Sequence, residues 1–179
     1  MREQDKSTTP AGLRDEWRTP DHVFAWAVRR WGPFDLDLAA TPDNARAPRF
    51  FTREDNALAQ DWAAAGRRAW CNPPYSNVRP WLHRAVYEHA RGLASVWLIP
   101  AFRGDVYHAQ LTYKHATEIV LISPRIAFVL PGVGAKAGNT GGSMFVYFDG
   151  EPRAAPIPAR ISICTITRGS HAATCHDNE

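Results

Sequence analysis

The sequence predicts an α/β fold: a mostly parallel sheet between helical layers, with an antiparallel carboxyl-terminal edge. Three observations predict it. Short apolar runs at residues 68–71, 94–99 and 118–122 read as strands, the latter two covered on both faces. Stretches with apolar residues at three- and four-residue spacing alternate with those runs, as the crossover helices of parallel strands do. Two late runs, 143–148 and 160–167, are joined by a proline-rich turn without a helix, which favours an antiparallel pair. At 179 residues, 45% hydrophobic and 22% charged, the chain suits one domain with a full core and is too apolar for disorder. The expected organisation is a flexible tail over 1–13, a single domain over 14–168 and a second flexible tail over 169–179.

The first organised signal is Trp17-Arg18-Thr19-Pro20-Asp21. Thr19 is suited to cap a helix, Pro20 fits its first position, and Asp21 favours the positive end of the dipole. Phe24, Ala27, Val28 and Trp31 then form one apolar face, and Gly32 stops the helix. Residues 34–38 alternate apolar with acidic and read as a short strand with Asp35 and Asp37 on one side. Residues 39–51 contain Pro42, Asn44 and Pro48 and read as a loop long enough to be functional. Thr52-Arg53-Glu54-Asp55 has the form of a capping box, opening a helix through Leu58 and Trp62 to Gly66. Following the strand at 68–71, Ser76 or Asn77 can cap a helix whose buried stripe is Trp81, Leu82, Ala85, Val86 and Ala90. Pro100 ends the next strand, a less regular helix spans 105–115, and 125–130 is extended. Residues 131–142 hold five glycines with Lys136 and Asn139 and read as a mobile loop. It is not a phosphate loop, because no Gly-x-x-x-x-Gly-Lys-Ser/Thr pattern exists and no helix follows.

One stretch, Trp70-Cys71-Asn72-Pro73-Pro74-Tyr75-Ser76, is poor secondary structure and good chemistry. Two successive prolines cannot continue a strand: each lacks an N–H, and each pushes the preceding residue into extended geometry. The loop therefore projects the Asn72 amide oxygen and a free backbone carbonyl beside the Tyr75 ring. Two acceptors next to an aromatic face suit a planar group bearing an NH2, which is the edge and face of a nucleobase. Stacking on such a ring contributes about 1–3 kcal/mol, comparable with the few kcal/mol that unstacking a flipped base costs. Taken alone, Asn-Pro-Pro-Tyr is equally a tight turn with its Tyr under the sheet; the strand before it and the helix after it favour the functional reading. Ligands of parallel sheets bind beyond the carboxyl ends of the strands, which gathers Asp37, Asn72, Pro100 and Ser123 on one rim. There Asp37 can accept hydrogen bonds from a cofactor's hydroxyls or ammonium group, a cap or loop ion pair being the alternative. Asp55 or Asn56 could hold an adenine edge or ribose, although capping is sufficient reason for Asp55.

Other classes are excluded or disfavoured. Three cysteines form no Cys-x-x-Cys pair and leave one over, so neither a disulfide framework nor a structural zinc is indicated, and a reducing, cytoplasmic setting is expected. His171, Cys175 and His176 lie in a polar terminal stretch and read as solvated rather than as a metal site. No apolar run approaches the roughly 18 residues of a membrane helix, and the amino terminus has no signal-peptide core. A formal charge of +3 is compatible with an anionic partner without being a strong nucleic-acid signature.

The ordered set is more specific than any one motif. Thr19-Pro20, then Phe34-Asp35-Leu36-Asp37-Leu38-Ala39-Ala40, then Glu54-Asp55-Asn56-Ala57-Leu58 with Asp61-Trp62, then Trp70 to Ser76, resembles the phage-type DNA N6-adenine methyltransferase (Dam-like) family. Residues 98–101, 125–128 and 142–146 are similar to that family's later blocks, and the resemblance covers about 17–148. It implies a Rossmann-like methyltransferase fold, S-adenosylmethionine as methyl donor and the N6 amine of adenine in DNA as acceptor. It also suggests protection of phage or prophage DNA from restriction in a bacterial host cell. On this resemblance Asn72, Pro73, Pro74 and Tyr75 match the catalytic motif, in which the amide and proline carbonyl grip the target amine. Thr19 and Pro20 resemble the segment beside the methionine moiety, while Asp35, Asp37 and Ala39 match the cofactor region, with Asp55 and Asn56 as further candidates. The sequence departs from the family in two places. Leu38-Ala39-Ala40-Thr41-Pro42 stands where a glycine-rich loop is usual, and no separate DNA-recognition domain is evident. Specificity would then rest on loops, with Ser76, Arg103, Arg125 and Lys136 as candidate substrate contacts. No metal, membrane or covalent nucleophile is required.

Two alternatives stay open at the level of sequence. The same acceptor pair serves a methyltransferase acting on cytosine N4, RNA or a protein glutamine. A catalytically silent nucleic-acid-binding protein is the reading from a different class: the missing glycine-rich loop favours it and the intact Asn-Pro-Pro-Tyr disfavours it.

Overall fold

The computed structural model describes residues 15–101, 109–135, 141–153, 158–168 and 174–177. The amino-terminal tail, the start of the helix expected at 105–115, and the candidate contacts Arg103 and Lys136 lie outside the described residues. The elements run α1 (Asp21–Trp31), β1 (Leu36–Asp37), β2 (Arg49–Phe50), a 3-10 turn (Ala57–Ala59), α2 (Trp62–Ala65), β3 (Arg68–Cys71) and α3 (Arg79–Ala90). They continue through β4 (Ala94–Pro100), a π-helical turn (Ala109–Tyr113), β5 (Glu118–Ser123), a small hairpin of β6 (Val129–Leu130) and β7 (Gly134–Ala135), then β8 (Ser143–Phe148), β9 (Arg160–Thr165) and β10 (Thr174–Asp177).

Eight strands form one sheet in the order β10-β9-β5-β8-β4-β3-β1-β2. β2, β1, β3 and β4 are mutually parallel, and β9 is parallel to β5. This is the mixed, mostly parallel sheet of a Rossmann-like α/β domain. β10, antiparallel to β9, forms the expected antiparallel carboxyl-terminal edge, while β8, also antiparallel, pairs with both β4 and β5 instead of with β9. The late strands are thus opposite in direction, as expected, but are separated by β5. No local pattern encodes such a long-range insertion. β8 reads Ser-Met-Phe-Val-Tyr-Phe and is almost wholly buried, as an interior strand must be.

The core divides by strand alternation. Ala69 and Cys71 of β3 and Trp97 and Ile99 of β4 face α3, where Leu82 and Ala85 meet them. Trp70, Val96 and Leu98 face the opposite way, onto Val23, Trp26, Ala27 and Trp31 of α1. Aromatic rings fill that second layer: Trp26 stacks on Phe145 at 5.3 Å, and Phe24 meets Trp70 edge-on at 5.1 Å. Burying one such ring contributes about 1.5–3 kcal/mol, so these layers fix the height at which β3 delivers its loop.

Several local expectations are corrected by tertiary contacts. Pro20, in extended geometry, holds the N-cap of α1 without a side-chain cap bond, and Thr19 is buried instead of capping. The helix expected from Thr52 to Gly66 is broken, because Asn56 adopts left-handed geometry (φ 50°); Asp61 then caps the short α2 through the Ala64 N–H. Helix α3 starts at Arg79, with Val78 rather than Ser76 or Asn77 at its N-cap. Ala90 is exposed, whereas Glu88 is fully buried between Arg84 and Arg91. Thr174–Asp177, within the stretch expected to be a tail, is an edge strand on β9, and Cys175 faces Cys164 in register and is disulfide-bonded to it. The cysteine count signalled no such link, because only strand register brings the two together. Cys71 is free and buried. Among the described residues, no helix is long and apolar enough to cross a membrane.

Candidate active site

The carboxyl ends of β1, β3, β4 and β5 share one rim of the sheet, and a cleft of about 260 Å³ opens at the β1–β3 part of it. Its wall includes Thr19, Asp37, Ala39, Asn56, Asn72 and Pro74 among the residues singled out from sequence. Residues not singled out for function also line it, among them Trp17, Arg18, Arg46, Leu58 and Trp81.

Asp37 ends β1 and is 2% exposed. One carboxylate oxygen accepts the Ala39 N–H at 3.2 Å and the other the Arg46 N–H at 2.9 Å. Burial pushes this carboxyl up to about 6, and the two backbone bonds and the Arg46 charge only partly oppose the shift. Arg46 fastens the same loop to the start of α1: its guanidinium donates to the Thr19 carbonyl at 2.7 Å, pairs with Asp21 at 2.8 Å and lies over the Phe24 ring. The segment after β1 is therefore held by a carboxylate and an arginine where a glycine-rich loop is absent. Loop length flagged the region, but nothing in the sequence distinguished Arg46 from a solvated base.

On the far wall, Trp81 stacks near-parallel with Trp62 at 6.3 Å. Trp62 is fully buried, and its indole N–H is fixed to the Ala57 carbonyl at 2.6 Å. Asn56, held in left-handed geometry by the turn around it, lines the cleft beside them.

The Asn-Pro-Pro-Tyr loop leaves β3 at Cys71. The Asn72 side-chain NH2 donates to the Trp17 carbonyl at 3.2 Å. Its Oδ1 is buried and has no hydrogen-bond partner in the structure. A buried amide oxygen left unpaired costs about 1–3 kcal/mol, so such an atom calls for a reason. Tyr75 is half-buried behind the loop; its hydroxyl donates to the Leu98 carbonyl at 3.2 Å and its ring meets Phe128 edge-on at 5.9 Å. Burial raises its phenol far above the ordinary range, so the hydroxyl stays protonated and anchors the ring. Pro73 is buried beneath the loop, and Pro74 faces the cleft.

The remaining candidates fall elsewhere. Asp35 does not line the cleft: its carboxylate accepts the N–H groups of Arg67 and Arg68, clamping the start of β3. Asp55 is likewise committed, accepting from the Thr52 N–H and hydroxyl, both at 2.8 Å, and these bonds lower its pKa. Both do local structural work, and neither is among the residues of the cleft. Pro20 is buried at the α1 start. Ser76 is exposed, and its N–H and hydroxyl both donate to Asp15. Arg125 is exposed on the chain leaving β5 at the same rim. Among the described residues, no three of His, Cys, Asp or Glu gather to hold a metal ion.

A Rossmann-like domain with this loop beside a cleft at the carboxyl rim has the architecture of an amino-methyltransferase. Comparison with known proteins narrows the class. The chain belongs to the DNA N-6-adenine-methyltransferase (Dam) family, whose model matches residues 6–170. It is 35% identical over 152 residues to the DNA N-6-adenine-methyltransferase of Haemophilus phage HP1, covering 83% of this chain and 86% of that protein. It is 30% identical over 154 residues to the protein of the same name from Escherichia phage T1, covering 77% of this chain and 64% of that one. A putative methyltransferase of Escherichia coli K12, YfdM, is 47% identical over 72 residues, 37% of this chain and 74% of its own length.

Proposed function

We propose that the protein transfers a methyl group from S-adenosylmethionine to the exocyclic N6 amine of adenine in DNA, with Asn72 and the Pro73 carbonyl receiving that amine. Adenine-specific DNA methylation is the activity of its family by name and of both phage relatives. The single observation that carries the residue assignment is the buried, unpartnered Asn72 Oδ1. An acceptor without a donor in the wall of the cleft is complementary to a planar NH2 group.

The cleft fits the proposed methyl donor. Asp37 offers a buried carboxylate to hydroxyl or ammonium groups, Thr19 and Ala39 stand beside it, and Asn56 and Trp81 offer an amide and an aromatic face. When bound there, S-adenosylmethionine supplies an electrophilic methyl group. The chain's own contribution is positioning. Asn72 Oδ1 and the Pro73 carbonyl accept the two amine hydrogens, which keeps the nitrogen lone pair available and aimed. The Tyr75 ring, anchored through Leu98, supports the plane of the extruded base. Ser76, Arg103, Arg125 and Lys136 are the proposed DNA contacts. The proposed setting is the bacterial cytoplasm, and shielding phage or prophage DNA from restriction is the proposed role.

Methyl transfer from labelled S-adenosylmethionine to unmethylated DNA, RNA and a glutamine-bearing protein, followed by nucleoside analysis, tests this reading. Label in N6-methyladenine of DNA is expected. Label in N4-methylcytosine, RNA or protein, or none at all, would overturn it.

A further inference from the structure

We infer that the segment 15–18 is a positioning clamp that sets the orientation of the Asn72 amide, with the Asp15 carboxylate on Ser76 as its latch; this rests on the assignment of Asn72 as the amine acceptor. The segment is fastened at both of its ends. At one end Arg18 forms a two-bond antiparallel bridge to Val129, its N–H donating at 2.8 Å and its carbonyl accepting at 3.0 Å. At the other, Asp15 Oδ1 accepts the Ser76 N–H at 3.1 Å and Oδ2 accepts the Ser76 hydroxyl at 2.6 Å. Between these two fixed points the Trp17 carbonyl accepts the Asn72 NH2.

The chemistry explains why the middle contact matters. The two ends of a side-chain amide are nearly the same shape but opposite in hydrogen bonding. A carbonyl fixed against one end commits the NH2 to that end and leaves the oxygen facing away from it. Without that carbonyl a half-turn of the amide would present donors to the target amine, which itself needs acceptors. The Trp17 carbonyl therefore selects the productive rotamer. Asp15 secures that carbonyl's place relative to the loop, since only two prolines and Tyr75 separate Asn72 from Ser76 and both prolines are conformationally fixed. Asp15 and Trp17 are positioning residues, because they act through Asn72. The same segment lines the cleft, so one short stretch touches both the proposed cofactor wall and the transfer loop.

The test compares the full-length parent with Asp15→Ala, Asp15→Asn, the double variant Asp15→Ala/Ser76→Ala and Asn72→Ala, at saturating S-adenosylmethionine. Misplacing a reacting group by about 1 Å can cost 100-fold. Asp15→Ala is accordingly expected to lower kcat about tenfold or more, with KM for DNA moving less than about threefold. Asp15→Asn retains an acceptor for the Ser76 hydroxyl and is expected to recover most of the rate. The double variant is expected to be no slower than Asp15→Ala. A kcat within about twofold of the parent, a loss confined to KM for DNA, or a faster enzyme would overturn the clamp, the last by making the segment a gate. Inactive Asn72→Ala alongside normal Asp15 variants removes only this inference, whereas active Asn72→Ala removes the acceptor assignment on which it stands.

Discussion

The Asn72 NH2 donates to the Trp17 carbonyl at 3.2 Å while the Oδ1 of the same amide is buried without a partner. Half of the amide is held by the protein and half is left for something else. In a loop where two prolines already supply acceptors without donors, an unpaired oxygen fits an incoming amine better than any role in folding.

Tyr75 separates ring from hydroxyl. Tyr75→Phe removes the bond to Leu98 but keeps the ring against Phe128. It is expected to change kcat/KM by less than about fivefold, in line with one net hydrogen bond. Tyr75→Ala removes the stacking surface and is expected to lower kcat/KM by about tenfold to a hundredfold, the equivalent of about 1–3 kcal/mol, while cofactor affinity measured by calorimetry holds. Equal losses in Tyr75→Phe and Tyr75→Ala would assign the role to the hydroxyl.

With Asp37 as a proposed cofactor contact, cofactor binding is expected to depend on pH. Its carboxyl is raised to about 6 by burial, so it becomes protonated in the free protein as pH falls through that value. A group that hydrogen-bonds the ionised form binds best above pH 6 and releases a proton from Asp37 when it binds near that pH. Calorimetry in buffers of different ionisation heat should show this release, with Kd rising by up to about tenfold per unit below pH 6. The sign for stability is the reverse. Because the folded value lies above the unfolded one, ionising Asp37 costs stability as pH rises from about 4 to 6. Asp37→Asn should remove both dependences.

His89 acts in the opposite direction. Its Nδ1 accepts the Gly150 N–H at 3.1 Å, and burial lowers its pKa, so the folded state holds it neutral. The unfolded chain takes up the proton first, and this contribution is complete above about 6.5 and is lost as pH falls through the folded value. His89→Gln should flatten the loss of stability below pH 6.5 in urea titrations. An unchanged acid limb would reject the assignment.

Gly150 itself has φ +76°, and a Cβ there would sit 2.6 Å from the Ala94 backbone nitrogen. Gly150→Ala combines left-handed strain with a backbone clash and should destabilise the protein by about 2 kcal/mol or more. Chemical denaturation measures it; a variant within about 0.5 kcal/mol of the parent would contradict the geometry.

Much of the sheet was legible because interior strands are continuous apolar runs. The strands at 68–71, 94–100, 118–123 and 143–148 begin and end within a residue of where the pattern places them. The insertion of β8 between β4 and β5 was not legible, since pairing partners leave no local mark. Caps failed where tertiary bonds outcompeted local ones: Ser76 could cap α3 but is taken by Asp15, and Asn56 turns left-handed inside an expected helix. The same division holds at the site. Asn72, Asp37, Thr19 and Asn56 line the cleft, whereas Asp35 and Asp55, carboxylates like Asp37, are consumed by backbone amides and hydroxyls nearby. The contributions of Arg46, Trp81 and the 15–18 segment depend on chain crossings and emerge only in three dimensions.

The most direct test of the central claim is single-turnover methyl transfer to DNA by Asn72→Ala, with melting and cofactor binding measured on the same sample. Removing an unpaired buried oxygen relieves about 1–3 kcal/mol while losing the Trp17 bond costs about 0.5–1.5 kcal/mol, so stability should stay within about 1–2 kcal/mol of the parent. A folded, cofactor-binding protein whose transfer step is slowed by about a hundredfold or more is the predicted result. Transfer at the parent's rate by that folded variant would contradict the account.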